Sequence, residues 1–184
     1  MIVKIAVWLI FVIFNQVIFD PAASAANFDP PLTIARTQAR NKCDFQTYID
    51  DADPDGTNIR RAADKNSVVL KRLKSADAVV TVTGYSGGWF EIAAAVEVGS
   101  GDADLFQGRG WIHSSLLGMR VAESDARLYA EPKTGSRVLK KLKAEESPLK
   151  LIACQGKWVK VRTGGKIGWL APGGQCGNFL TTCS

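Results

Sequence analysis

The segment Gly87-Gly88-Trp89-Phe90-Glu91-Ile92 is matched 69 positions later by Gly156-Lys157-Trp158-Val159-Lys160-Val161 (156 − 87 = 69). The same offset relates Ile59 to Leu128, and it relates residues 70–73 to residues 139–142. A constant spacing over this length is typical of a duplicated compact unit. The sequence therefore predicts two copies of one module, and the function has to be sought in that module.

A second landmark, Gly-Trp followed by an aliphatic residue, closes each copy at residues 110–112 and 168–170. Its offset is 58 (168 − 110 = 58), so the first copy carries 11 additional residues (69 − 58 = 11) between Ile92 and Trp111. We expect them to form a loop around residues 99–101. The acidic residues of this segment form either a recognition loop or an ordinary surface excursion: Glu97, Asp102 and Asp104.

Both copies show short strand signals separated by turns, and neither shows a helical stripe. Strands are predicted at residues 79–83, 89–93 and 109–113, and again at 149–153, 158–162 and 166–171. Five or so short strands in roughly 65 residues indicate a small closed or half-closed β-barrel, because curling the sheet removes exposed edges. The predicted fold class is all-β, with two tandem small barrels that fold separately and meet near residues 118–125.

The N-terminus is typical of a cleaved signal peptide. Lys4 precedes an apolar run at residues 5–14, and Ala23-Ser24-Ala25 offers small residues for cleavage. The run is shorter than the ~20 residues that span a bilayer, so no stable membrane span is expected; an uncleaved anchor is the alternative. We therefore assign residues 1–25 to the signal, 26–41 to a flexible lead-in, 42–118 to the first domain and 119–184 to the second. The predicted location is secreted or periplasmic.

Four cysteines lie beyond the predicted cleavage site: Cys43, Cys154, Cys176 and Cys183. An even number in an oxidising compartment predicts two disulfides, for which three connectivities exist. The hairpin after Cys154 should bring Cys176 close to it, which leaves Cys43 for Cys183. The alternative is a local Cys176–Cys183 bridge, with Cys43 and Cys154 joined across the units or free. Because the chain has one histidine and no Cys-x-x-Cys spacing, neither a metal nor another cofactor is expected.

Charge is distributed unevenly between the two copies. Residues 42–118 contain 8 Lys/Arg and 11 Asp/Glu (8 − 11 = −3), whereas residues 119–184 contain 12 and 5 (12 − 5 = +7). Nucleic acid is an unsuitable partner for an exported protein, but an anionic polymer of the cell envelope suits the basic second copy. The alternative is a solvated face that only keeps the module soluble.

Strand alternation places the tryptophans off the core. Side chains one apart on a strand point to opposite faces, so Val159 and Val161 in the core put Trp158 and Lys160 outside. The same argument turns the other Gly-Trp and Gly-x-Trp residues outward: Trp89, Trp111 and Trp169. These aromatics either pack under loops and define the fold or form a ligand-binding surface. The candidate binding residues are Trp158, Trp169, Tyr129, Lys160, Lys166, Trp89, Trp111 and Tyr85.

These motifs resemble the bacterial Src-homology-3-like (SH3b) domain. The first copy carries them at residues 58–60, 87–92 and 110–112, and the second copy at residues 128–132, 156–161 and 168–170. The resemblance covers most of the chain beyond the lead-in. It implies small, typically non-catalytic β-barrels of exported proteins, often directed at peptidoglycan or its peptides. It does not settle the ligand, because one fold hosts many partners.

The residues themselves give catalysis little support. A wall-cleaving cysteine peptidase would need a reactive Cys and a His base, and His113 is the only histidine. Paired carboxylates, such as Asp51 and Asp53, lie in a turn-rich segment and are expected to solubilise it or to bind a cation loosely. We therefore expect a binder of peptidoglycan or its peptides rather than an enzyme. The alternative is a periplasmic or secreted adaptor that grips an extended segment of a partner protein.

Overall fold

A computed structural model describes residues 40–74, 77–99, 103–122 and 126–178. The signal peptide and residues 26–39 of the lead-in lie outside these ranges, so both assignments stay predictions. The described residues form thirteen β-strands and three short 3-10 helices, which confirms the all-β prediction. Within the described ranges, no helix is long and apolar enough to cross a membrane.

The strands fall into two sets of six and a short final strand. The first repeat contains β1 (Asn41–Ile49), β2 (Thr57–Arg60), β3 (Val69–Leu73), β4 (Ala78–Ser86), β5 (Trp89–Glu97) and β6 (Asp104–His113). The second contains β7 (Leu117–Val121), β8 (Arg127–Tyr129), β9 (Val138–Lys141), β10 (Leu149–Gln155), β11 (Trp158–Thr163) and β12 (Lys166–Leu170). The final strand is β13 (Gln175–Cys176). The 3-10 helices are Ser114–Leu116, Ala144–Glu146 and Pro172–Gly174.

The strands pair in one antiparallel path, β3-β2-β6-β5-β4-β1-β7-β10-β11-β12-β8-β9, and β13 pairs with β7. Read outward from its centre, the path is β1-β4-β5-β6-β2-β3 on one side and β7-β10-β11-β12-β8-β9 on the other. The two orders are equivalent, so the sequence repeat is also a repeat of strand pairing. Because the path ends at β3 and β9, the predicted closure into barrels is not confirmed.

Strand β7 belongs to both repeats. Tyr48 and Ile49 of β1 pair with Gly118 and Leu117 of β7. On the same strand, Arg120 and Val121 pair with Cys176 and Gln175 of β13. Gly118 and Cys176 differ by 58 positions (176 − 118 = 58), as do Leu117 and Gln175 (175 − 117 = 58), which is the offset of the second landmark. Strand β7 is therefore the last strand of the first repeat, equivalent to β13 in the second. It is also the first strand of the second repeat, equivalent to β1 in the first.

The assigned domain boundary at residue 118 falls inside β7. Residues 37–184 group into one compact unit, and one hydrophobic core holds residues from both repeats, including Phe90, Ile112, Met119 and Val159. Whether the two assigned domains fold separately therefore stays a prediction.

The additional residues of the first repeat extend a hairpin rather than a loop. Strand β5 continues to Glu97 and β6 begins at Asp104, and the two pair as far as Val96 and Asp104. Strand β4 lengthens in parallel, since Ala78 pairs with Glu97. The prediction of a loop was therefore wrong for the residues that lengthen β5 and β6. The physical reason is that paired strands satisfy more backbone hydrogen bonds than an unpaired loop would. Residues 100–102 lie outside the described ranges.

The cysteines pair across the repeats: Cys43 is bonded to Cys154. The predicted pairs Cys154–Cys176 and Cys43–Cys183 are therefore wrong, and the alternative pairing of Cys43 with Cys154 is confirmed. The physical reason is that residues 42–44 lie beside the turn after β10, where the Asp44 amide donates to the Gly156 carbonyl and the Gly156 amide to the Lys42 carbonyl. Cys176 is itself disulfide-bonded, and Cys183 lies outside the described residues.

Candidate functional site

The alternation predicted from sequence is present in both repeats. Val159 and Val161 are fully buried, whereas Trp158 and Lys160 are half-buried on the opposite face of β11. Strand pairing then aligns neighbours on this outer face, because Lys160 pairs with Trp169 of β12 and Trp169 pairs with Tyr129 of β8. Three adjacent strands thus contribute to one surface.

We call this surface the second aromatic face: Tyr129, Trp158, Lys160 and Trp169. The rings of Tyr129 and Trp158 meet edge to face, with centroids 5.5 Å apart. The Lys160 ammonium lies 5.6 Å from the centroid of Trp169, within reach of a cation–π attraction. All three rings are half-buried, so each offers part of its surface to a ligand. The face combines an apolar platform with one positive charge.

The equivalent residues of the first repeat form the first aromatic face: Arg60, Trp89, Glu91 and Trp111. Arg60 pairs with Trp111, and Trp111 pairs with Glu91. The charge at the centre of this face is reversed, since Glu91 stands where the second repeat has Lys160.

The first aromatic face is covered by the side chains of Arg40, just before β1, and Arg109, on β6. The guanidinium groups of Arg40 and Arg109 form ion pairs with the two carboxylate oxygens of Glu91, and Glu91 is 1% exposed. Gly84 leaves room for this cover, because a Cβ at Gly84 would lie 2.9 Å from both Arg40 and Glu91 side-chain atoms. The second repeat has Ala153 at the position of Gly84 (84 + 69 = 153), and no carboxylate pairs with Lys160 among the described residues.

Trp111 departs from expectation in one respect. It lies outside the core cluster, as alternation predicted, but it is 5% exposed rather than turned into solvent. Trp89 is half-buried and packs edge to face against His113, with centroids 5.1 Å apart. Trp111 of the first repeat is therefore less available than Trp169 of the second, whereas Trp89 and Trp158 are both half-buried.

Two candidate binding residues lie away from the aromatic faces. Lys166 is at the opposite end of the β11–β12 hairpin from Trp158, and its ammonium donates to the Leu139 carbonyl over 3.3 Å. Tyr85 packs against the core beside Phe90, with centroids 5.1 Å apart. The Tyr85 hydroxyl accepts a hydrogen bond from the Gly88 amide over 3.1 Å. The structure therefore joins six of the eight candidates to two faces and leaves these two outside them.

A cleft between the repeats was not predicted from sequence. It has a volume of about 380 Å³ and is lined by Tyr85, Ser114, Ser115, Lys150, Leu151, Ile152 and Arg162. It exists because the repeats sit side by side through β1 and β7. No signal within either copy could reveal a space that both copies form together.

Several charged residues of the sequence argument have structural partners. The Asp53 amide donates a hydrogen bond to the Asp51 carboxylate, and the Asp55 amide donates one to the Asp53 carboxylate. The Thr57 hydroxyl also donates to Asp51, over 2.7 Å. In the basic repeat, the Lys140 ammonium donates to Glu146 and lowers the pKa of that carboxyl. These residues shape turns and loops rather than a ligand surface.

Tyr48 lies where the two repeats join. Its pairing partner is Gly118, and a Cβ at Gly118 would lie 2.7 Å from the Tyr48 ring. Burial raises the pKa of Tyr48, the nearby Asp50 carboxylate adds to this effect and Arg120 opposes both, so that the pKa is about 12. The neutral phenol is thus a structural part of the junction.

Comparison with known proteins supports the resemblance for one repeat. Residues 122–173 match the family model described as bacterial SH3 domain, which is 52 of the 184 residues (173 − 122 + 1 = 52). The match contains β8 to β12 and the whole second aromatic face. The resemblance to this family is therefore confirmed for the second repeat. For the first repeat it stays a prediction, and so does the tandem pair.

No curated protein matches the chain. Among solved structures, a match is found to "Structure of NlpC2 from Trichomonas vaginalis", with 15% sequence identity and a TM-score of 0.29. The alignment covers 76% of this chain and 48% of that chain, so this chain spans about half the length of that protein.

Proposed function

We propose that this protein is an exported, non-catalytic binding protein whose second aromatic face recognises peptidoglycan or its peptides. The observation that carries the proposal is the difference between the two faces. Glu91 of the first face is paired with Arg40 and Arg109, whereas Lys160 of the second face lies over Trp169 and has no carboxylate partner within the described part of the chain. The second face is thus available to a ligand.

The chemistry of the second face suits a wall polymer. Half-buried aromatic rings supply a rigid apolar platform at low entropic cost, and such rings dominate binding energy in many interfaces. The Lys160 ammonium can bind a carboxylate of a wall peptide. The match of residues 122–173 to the bacterial SH3 domain adds support, because it contains every residue of this face.

Export is supported by the bond between Cys43 and Cys154. Disulfides persist in oxidising compartments and are rare in the cytosol. The N-terminal pattern of charge, apolar run and small residues agrees with such a destination.

A non-catalytic role is part of the proposal. The contact that could argue against it is the one between His113 and Ser115. Its Nδ1 atom lies 2.7 Å from the Ser115 hydroxyl oxygen, a distance that a nucleophile–base pair would also show. A third group that orients the base is part of such sites, and no described carboxylate pairs with His113. The contact instead closes the turn after β6, where the Ser115 amide also donates to His113. We expect purified protein to release no soluble fragments from peptidoglycan.

The proposal is tested by co-sedimentation with purified peptidoglycan sacculi. Trp158→Ala should weaken binding by about 2 kcal/mol, or roughly 30-fold, because an aromatic anchor is lost. The matched control is Trp89→Ala in the first repeat, which should bind as the unmodified protein does. Both variants must retain native amide spectra. Unchanged sedimentation of a folded Trp158→Ala variant would show that the second aromatic face is not the binding site.

A second candidate function is an adaptor that adds an extended partner segment to a sheet edge. Strand β3 ends the pairing path. Val69 and Leu70 on this strand are 41% and 39% exposed, and Val68 just before it is 57% exposed. An exposed edge with apolar side chains can accept a further strand. The sacculus experiment distinguishes the two functions, since an adaptor of this kind would remain in the supernatant.

A further inference from the structure

The cleft between the repeats has walls of different chemistry. Tyr85, Ser114 and Ser115 form the wall of the first repeat, and Lys150, Ile152 and Arg162 contribute that of the second. Its volume, about 380 Å³, lies in the range of small-ligand sites, ~300–1,000 Å³. Apolar, hydroxyl and cationic groups therefore converge on one space of suitable size.

The charge of the cleft favours an anion. Its lining contains two cations and no carboxylate. The Lys150 ammonium is already paired with Asp50, but Arg162 is exposed and has no ion-pair partner among the described residues. A free guanidinium presents a fork that binds a carboxylate through two parallel hydrogen bonds.

The opposite wall offers what the rest of such a ligand needs. Ser114 supplies a hydroxyl that can donate or accept, and Tyr85 supplies apolar surface. Ile152 adds apolar surface on the same wall as Arg162. Because Arg162 pairs with Lys150 on one side and Ile167 on the other, its backbone is fixed within the sheet. The guanidinium therefore projects from a rigid element, which favours precise placement.

We propose that the inter-repeat cleft binds the C-terminal carboxylate of a short peptide, with Arg162 as the carboxylate anchor and Ser114 on the facing wall. The site requires both repeats, since neither supplies the anchor and the facing wall alone. It goes beyond the proposed function and does not rest on it, because the second aromatic face shares none of the lining residues of the cleft.

The test is titration of the full-length mature protein with acetyl-Ala-Ala-Ala, its C-terminal amide and acetate, followed by amide chemical shifts. We expect the acid to shift the amides of Ser114, Ile152 and Arg162, and the amide form to bind at least tenfold more weakly. Arg162→Gln should weaken binding of the acid at least tenfold, and Arg162→Lys should weaken it less. Arg61→Gln is the matched control, since it removes an exposed arginine outside the cleft, and it should bind as the unmodified protein does.

Three results would each overturn the proposal. The first is equal binding of the acid and the amide, and the second is undiminished binding by Arg162→Gln. The third is acetate binding as tightly as the peptide, which would remove the peptide from the site. Trp158→Ala separates this proposal from the proposed function: it should lose sacculus binding and keep tripeptide binding, and loss of both would place the tripeptide on the aromatic face instead.

Discussion

The Cα atoms of Cys43 and Cys154 lie 5.7 Å apart although 111 positions separate the two residues in sequence. The bond therefore closes most of the described chain into one loop. Beside it, the Asn41 side chain donates to the Cys154 carbonyl over 3.2 Å, so the start of β1 is held to the second repeat by covalent and non-covalent contacts together.

Replacing Cys43 and Cys154 together by alanine should lower the free energy of unfolding by about 4 kcal/mol. The reason is that an unfolded chain without this long loop gains conformational entropy. Urea denaturation followed by circular dichroism measures the change. A loss below about 1 kcal/mol would contradict the expectation and show that sheet pairing alone holds the repeats together.

Glu91→Gln should lower the free energy of unfolding by about 2 kcal/mol, because Arg40 and Arg109 would then face each other over a buried neutral group. The matched control is Glu97→Gln on the same strand, whose carboxylate has no ion-pair partner among the residues that the structure describes. The control should change stability by less than about 0.5 kcal/mol. Equal effects of the two substitutions, measured by urea denaturation, would mean that the arginine cover contributes nothing.

The alternation of the tryptophan strands could be predicted because it depends only on the period of a β-strand. Strand β1 escaped notice because its core-facing positions include Cys43 and Thr47, which weaken the apolar signal. The shared strand β7 and the cleft escaped for a different reason, and the same reason left the Cys43–Cys154 bond as an alternative rather than the preferred pairing. Each depends on how one repeat pairs with the other, and the spacing within a repeat carries no information about that.

A fragment of residues 117–184 with Cys154→Ala should fold alone in oxidising buffer. It keeps β7 to β13 and every pairing among them. It loses the first repeat, of whose strands only β1 pairs with β7, and with it the bond to Cys43. A dispersed amide spectrum is expected, with a lower melting temperature than the whole protein, since the fragment exposes the β1 side of β7. A collapsed spectrum would show that β1 is needed to complete the second repeat.

Stability should fall between pH 10 and pH 12 because of Tyr48. Its pKa is about 12 in the folded protein and about 10 in an unfolded chain. The unfolded state therefore loses its proton first, so the contribution of Tyr48 is complete below pH 10 and is lost as pH rises towards 12.

Tyr48→Phe should remove this pH dependence, and Tyr129→Phe should not. Ultraviolet titration of the phenols gives the assignment directly, since the chain has three tyrosines. If the phenol with the raised pKa disappears in the Tyr129→Phe variant and remains in the Tyr48→Phe variant, the assignment to Tyr48 is wrong.

The double membership of β7 also determines how such a chain can grow. Each added repeat would take the final strand of its predecessor as its own first strand, so copies would be joined without a linker. Every such joint would create one cleft, and a row of n repeats would hold n − 1 of them. Two repeats are then the smallest number that can hold any cleft at all, whereas a single repeat still has its aromatic face.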